Sequence, residues 1–124
     1  MLHAAAQRGI TPVIYASSQS ALGNPWAPEL QPLLYAPVDE VYPCTHFNLY
    51  GLSKWVGEHI CTHMAISYGL PILSFRLPAI WPPTQHAQRI AGRLTDQLQA
   101  AKSLWAYIDL RDAARAFRLA LQHK

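Results

Sequence analysis

The sequence predicts an α/β fold built on a parallel sheet with flanking helices, and three observations predict it. Two short apolar runs, Pro12–Ser17 and Ile72–Leu77, are rich in β-branched and aromatic residues and too brief for helices, so both read as buried strands. Between them, Leu52, Trp55, Val56, His59, Ile60, His63 and Met64 recur three and four residues apart, the period of a helix over Tyr50–Tyr68. Strand, helix and strand within about 65 residues make a βαβ crossover, which implies parallel strands and a right-handed connection.

Taken in order, Leu2–Gln7 reads as the last turns of a helix, ended by Arg8 and Gly9 with the basic residue at the negative end of the dipole. The first strand follows. Five prolines between residues 24 and 49 (Pro25, Pro28, Pro32, Pro37 and Pro43) forbid a regular helix or central strand there, and a loop of that length is expected to cover a functional site. Gly69 and Pro71 close the central helix. The second strand stops at Pro78, Pro82 and Pro83. Arg89–Ala101 is expected to form one helix, and Trp105–Ile108 a short strand. Asp109 then caps a last helix, Leu110–Gln122, with Leu110, Ala113, Ala114, Phe117, Ala120 and Leu121 on one face and Arg111, Arg115 and Arg118 on the other.

With 124 residues the chain has a ceiling of one domain, and 51% hydrophobic against 14% charged residues is enough to build a core. No run of 18 apolar residues or secretory leader is visible, which predicts a cytoplasmic protein with no membrane contact. The net charge is +3, but the basic residues are scattered and the four tryptophans are not interleaved with them, so nucleic acid is not an expected partner. Cys44 and Cys61 lack CxxC spacing and read as reduced thiols.

Tyr50 and Lys54 stand four apart at the start of the central helix, which places phenol and ammonium on nearly the same face. A free phenol is only about 0.1% ionised at pH 7, and a cation within about 4–6 Å favours the ionised form, so such a pair suits proton transfer. An ordinary helix start with an exposed lysine is the plain alternative. Ser17 and Ser18 end the first strand, at the carboxyl edge where open α/β sheets bind ligands. Ser18, Tyr50 and Lys54 can therefore converge. His59 and His63 also stand four apart, but without a clear third ligand they predict no metal site. Arg76 and Arg111 are candidates for a substrate phosphate, and Arg111 with Asp112 for a structural ion pair or cap.

In this order, the segment Val13–Gly23, Asp39 and Glu40, Tyr50–Lys54 with Glu58, Gly69–Leu77 and Tyr107–Asp112 resembles the extended short-chain dehydrogenase/reductase family, the NAD-dependent epimerase/dehydratases. The resemblance implies a partial Rossmann-like domain over residues 1–124. It implies Ser18, Tyr50 and Lys54 as catalytic residues, acting on a nucleotide-sugar or related hydroxyl substrate with NAD or NADP. Tyr50 would be the acid/base, Ser18 would hold the reacting oxygen, and Lys54 would bind the nicotinamide ribose. Ser17, Tyr50, Lys54, Pro78, Ala79 and Ile80 would lie along the cofactor. Family members often carry Asn in the segment occupied here by Pro78–Ile80, and Tyr where Leu22 stands.

The family's strand, GxxGxxG turn and helix, whose amides hold a pyrophosphate, have no counterpart here: no two of the six glycines are two or three residues apart. The acidic residue for the adenosine ribose is missing too. The chain is therefore expected to carry the proton-transfer half of a dehydrogenase site, less than a complete domain, and not to bind the dinucleotide alone. A reading frame extending upstream of Met1 would explain the same absence. The alternative function is a non-catalytic remnant or interaction module. Under either reading a homodimer, or pairing through an exposed sheet edge, is expected.

Overall fold

A computed structural model describes residues 1–122. Helix α1 (Leu2–Gln7) ends at Arg8, and Gly9 takes the left-handed conformation (φ 62°) that turns the chain toward β1 (Val13–Ser18). Two 3₁₀ turns, Gln19–Leu22 and Asn24–Trp26, leave the strand, and the proline-rich segment then runs without helix or strand to α2 (Leu49–Tyr68). Asn48 caps α2 by accepting a hydrogen bond from the Gly51 amide (2.7 Å), and Gly69 ends it with φ 59° and ψ 29°. Strand β2 (Ile72–Leu77) returns parallel to β1, in register from Val13 opposite Ile72 to Ser18 opposite Leu77. The βαβ crossover and its parallel pairing are as the sequence predicts.

Alternate residues of β2 face opposite helices. Arg76 meets Glu58 of α2, while Phe75 packs edge-on against Phe117 (centroids 5.2 Å apart) of α5 (Leu110–Gln122). Helices thus lie on both faces of the pair, but the strands are less buried than the sequence predicts: Ala16, Leu73 and Ser74 are exposed and only Ser17 is fully buried, because α2 and α5 leave an open cavity along β2.

Past β2 the structure departs from the expected elements. A second parallel pair forms from β3 (Ala79–Trp81) and β4 (Tyr107–Asp109), with Ile80 opposite Ile108. Confined between Pro78 and Pro82, β3 is too short to leave a periodic signal. The single helix expected over Arg89–Ala101 is two, α3 (His86–Thr95) and α4 (Gln97–Lys102). Asp96 breaks them, because its carboxylate accepts from the Gln99 amide (3.1 Å) and starts a new helix. Asp109 does cap α5, accepting from the Arg111 amide at 2.7 Å. The apolar face expected for α5 is only partly used: Ala113 and Ala120 are buried, while Leu110 and Leu121 are exposed.

Helix α2 departs most. Its buried residues are Gly51 and Cys61, whereas Leu52, Val56 and Ile60 of the expected apolar face are exposed. The face against the sheet is polar. Glu58 accepts from Ser17 Oγ of β1, and from Arg76 of β2 through Nε (3.0 and 3.1 Å) and Nη2 (2.8 Å). One carboxylate therefore ties the helix to both strands. Burial by itself would raise the Glu58 pKa, but the hydrogen bonds from Arg76 and Ser17 and the Arg76 charge outweigh it and hold the carboxyl below its ordinary 4.5.

A group depressed in the folded state stabilises above its unfolded pKa and loses that contribution as pH falls through its folded pKa. Replacing Glu58 with Gln should therefore cost about 1–3 kcal/mol of unfolding free energy at pH 7, between the values typical of exposed and buried pairs. In urea titrations the gap between wild type and Glu58→Gln should narrow below pH 4.5. A gap that stays constant down to pH 3 would contradict this account.

Candidate functional site

At the carboxyl end of β1, Ser18 Oγ accepts from the Ser20 amide (3.1 Å) and starts the tight turn that carries the chain across the sheet edge. The first turn of α2 comes down on that turn. A Cβ placed on Gly51 would lie 2.5 Å from the Ser20 carbonyl oxygen, so only glycine permits this approach. Tyr50 is thereby brought to the mouth of a cavity of about 310 Å³, whose walls include Ser18, Gln19, Ser20, Tyr50, Pro78 and Ala79.

One helical turn on, Lys54 donates from Nζ to the Ala16 carbonyl (2.8 Å), with the ammonium 5.5 Å from the Tyr15 ring centre and 5.7 Å from that of Tyr50. Ser18 and Tyr50 thus share one cavity, and Lys54 supports the tyrosine from the side of β1. The two serines part company. Ser17 is buried and donates to Glu58, so its hydroxyl serves the joint between α2 and the sheet. Pro78 and Ala79 lie in the cavity wall, and Ile80 stands on β3 opposite Ile108, outside it.

Three residues of this wall were not singled out by the sequence. Arg93 of α3, Ser103 and Ala106 close the cavity on the far side. Gln19 fastens that side by donating from Nε2 to the Ser103 carbonyl (2.6 Å). Arg93 donates from Nη2 to the Ala106 carbonyl (2.9 Å), and its guanidinium carbon sits 4.6 Å from the Trp81 ring centre. Trp81 in turn stacks on Tyr107, with centroids 4.5 Å apart and planes 13° from parallel. These contacts join α3 to residues 12 or more positions away, beyond the reach of any local spacing rule.

A larger cavity of about 690 Å³ lies along β2 between α2 and α5, with Val38, Asp39 and Glu40 of the proline-rich segment in its wall. That part of the long segment therefore covers this cavity, while Pro25 reaches the smaller one. The charged groups deepest in the larger cavity, Glu58 and Arg76, already neutralise each other. Burial raises the Cys44 thiol even though the Arg76 charge pulls it down, so this cysteine is not an activated thiolate. Arg111 is likewise engaged, donating to both oxygens of Asp109 (3.0 and 2.9 Å), and these hydrogen bonds lower that carboxyl to about 2. His59 Nδ1 lies 3.0 Å from the Trp55 carbonyl and His63 Nε2 lies 3.3 Å from Ser67 Oγ.

The glycines test whether these residues could hold a dinucleotide. A pyrophosphate cradle needs a glycine whose missing side chain leaves room for the ligand. A Cβ at Gly23 would strike the Thr45 backbone, at Gly51 the Ser20 carbonyl and at Gly57 the Tyr15 ring, so these approaches are filled by the chain itself; Gly9, Gly69 and Gly92 have open space, but the first two follow helix C-termini and the third lies within α3, so none of the three stands at a helix N-terminus. Among the described residues, Ser18 and Tyr50 share a cavity with Lys54 beside the tyrosine ring, and no glycine at a helix N-terminus leaves room for a pyrophosphate.

A family model described as the NAD dependent epimerase/dehydratase family matches residues 1–124. No curated protein and no solved structure matches the chain.

Substituting alanine at Gly51 should lift the start of α2 from the Ser20 turn and lower unfolding free energy by about 1–3 kcal/mol, the usual cost of overpacking. Gly92 has open space around it in mid-helix, so Gly92→Ala should instead stabilise by about 0.5–1 kcal/mol. Thermal melts of the two variants check the pair of signs. Equal shifts would remove the close approach as the device that positions Tyr50.

Proposed function

Given that the chain belongs to the NAD dependent epimerase/dehydratase family, we propose that it supplies the proton-transfer part of a dehydrogenase-type site acting on a hydroxyl compound such as a nucleotide-sugar. The observation that carries this reading is the meeting of Ser18 and Tyr50 in one cavity, with the Lys54 ammonium 5.7 Å from the tyrosine ring centre. NAD or NADP, when bound, supplies the hydride acceptor or donor. The chain's own residues handle the proton. The Tyr50 phenol oxygen takes the proton of the substrate hydroxyl as that carbon is oxidised, and returns one on reduction. Ser18 holds the reacting oxygen. Lys54 puts positive charge beside the ring on which negative charge develops, and its bond to the Ala16 carbonyl fixes it there. The filled glycine approaches support the further proposal that the pyrophosphate is held by residues other than these.

The test is to titrate the 124-residue chain with NAD(H), then to repeat the titration with a polypeptide carrying a strand, a GxxGxxG turn and a helix. We expect no saturable binding alone, and binding with hydride transfer from a nucleotide-sugar once the halves combine. Tyr50→Phe should then lower turnover by about 10²–10⁴, the usual worth of a general acid/base. Tight binding by the chain alone would overturn the division of labour. Turnover indifferent to Tyr50→Phe would overturn the role of Tyr50.

A second reading, a non-catalytic interaction module, is favoured by the outward apolar stripe Leu49, Leu52, Val56 and Ile60 on α2 and by the second edge of β1, unpaired among the described residues. Both readings expect self-association. Light scattering should report a dimer that Leu52→Glu with Ile60→Glu converts to monomer, and a monomeric wild type at high concentration would exclude this role for the stripe.

A further inference from the structure

We propose that Arg93 selects the substrate of this site: its guanidinium receives a carboxylate or phosphate group borne by the hydroxyl compound on which Ser18 and Tyr50 act. The inference rests on reading the Tyr50 cavity as the substrate site. Of the residues lining that cavity, Arg93 alone carries a formal charge. Its Nη2 is satisfied by the Ala106 carbonyl, Nη1 is enclosed by protein, the side chain as a whole is half-buried at the cavity wall, and no carboxylate stands within ion-pair distance among the described residues. The nearby carboxylates are committed elsewhere: Asp109 to Arg111 and His86, and Asp96 to the Gln99 amide.

A guanidinium cannot shed its proton in a protein, so its partial burial leaves a charge that an anion in the cavity would balance. That burial pulls Arg93 below its ordinary value, the direction expected for a cation without a counter-charge. The position is also prepared. Trp81 and Tyr107 stack beneath the guanidinium, at 4.6 and 5.9 Å from its carbon, so the planar fork is held before any ligand arrives. A purely structural cation–π role explains the stacking and leaves unexplained a cation in the cavity wall without a counter-charge.

The test uses the full chain and three small hydroxyl compounds: glycerol 3-phosphate, lactate and neutral glycerol. Binding is followed by NMR at the Arg93 side-chain Nε and the Tyr50 ring. We expect the anions to bind saturably and shift both signals, with phosphate and carboxylate ranked by their relative affinities, and glycerol to do neither at the same concentration. Arg93→Gln should weaken anion binding about 10- to 100-fold, the worth of a charge-assisted hydrogen bond, and Arg93→Lys less. Glycerol binding as well as the anions, or anion binding unchanged in Arg93→Gln, would overturn the proposal. If Arg93→Gln does not fold, the comparison of charged with neutral ligands on wild type still decides it. A failure of the proton-transfer reading appears in the turnover of Tyr50→Phe, and a failure of this one in the binding of charged against neutral ligands to the wild type, which needs no turnover.

Discussion

The site depends on how closely the start of α2 approaches the turn that follows β1. Gly51 sets that distance, since its missing side chain lets the helix rest on the Ser20 carbonyl. The residues of α2 at intervals of about one turn then fall into place: Tyr50 at the cavity, Lys54 on the Ala16 carbonyl, Glu58 on Ser17 and Arg76, and Cys61 buried against the sheet. A helix raised by even one methyl group would carry all of these contacts away from their strand partners together, because a helix moves as a rigid element.

This helix is packed with its polar side inward. Withdrawing a carboxylate from water is costly unless it finds partners, and Glu58 meets a guanidinium and a hydroxyl, while the half-exposed Lys54 ammonium meets a backbone carbonyl. The seam between helix and sheet is therefore held largely by directional polar contacts rather than by apolar area. Two consequences follow from the same choice. The position of Tyr50 is coupled to the ionisation of Glu58, and the apolar residues Leu52, Val56 and Ile60 of α2 are left facing outward, where a partner surface would bury them.

The strands and the crossover are legible in the sequence because their signals are local. The apolar runs at Pro12–Ser17 and Ile72–Leu77 and the Gly69 stop each report on a few adjacent residues. The inward face of α2 is not legible. Apolar periodicity selects Leu52, Val56 and Ile60, and nothing local reveals that Ser17 and Arg76 will satisfy Glu58 from 41 and 18 residues away. Ser18, Tyr50 and Lys54 are legible as a motif in chain order, whereas Ser17 is separated from Ser18 by strand alternation once the sheet forms. Arg93 is hidden for the same reason as Glu58: its aromatic partners come from β3 and β4, and β3 is a strand too short to foresee.

The far wall of the cavity is built by a different physical device. After α4, Leu104 and Trp105 both adopt left-handed backbone angles (φ 54° and 55°), a conformation that costs a residue with a side chain about 1–2 kcal/mol. Hydrogen bonds from their amides to the Ala101 and Ala100 carbonyls, each 2.8 Å, help hold the turn. The turn presents the Ser103 carbonyl to Gln19 and the Ala106 carbonyl to Arg93, the two bonds that attach this wall to the 3₁₀ turn after β1 and to α3. A relaxed turn would lose both acceptors. The strain is thus tied to the geometry that faces Tyr50, and the cavity lies between one wall set by a glycine that permits close approach and another set by two residues held where glycine would be easier.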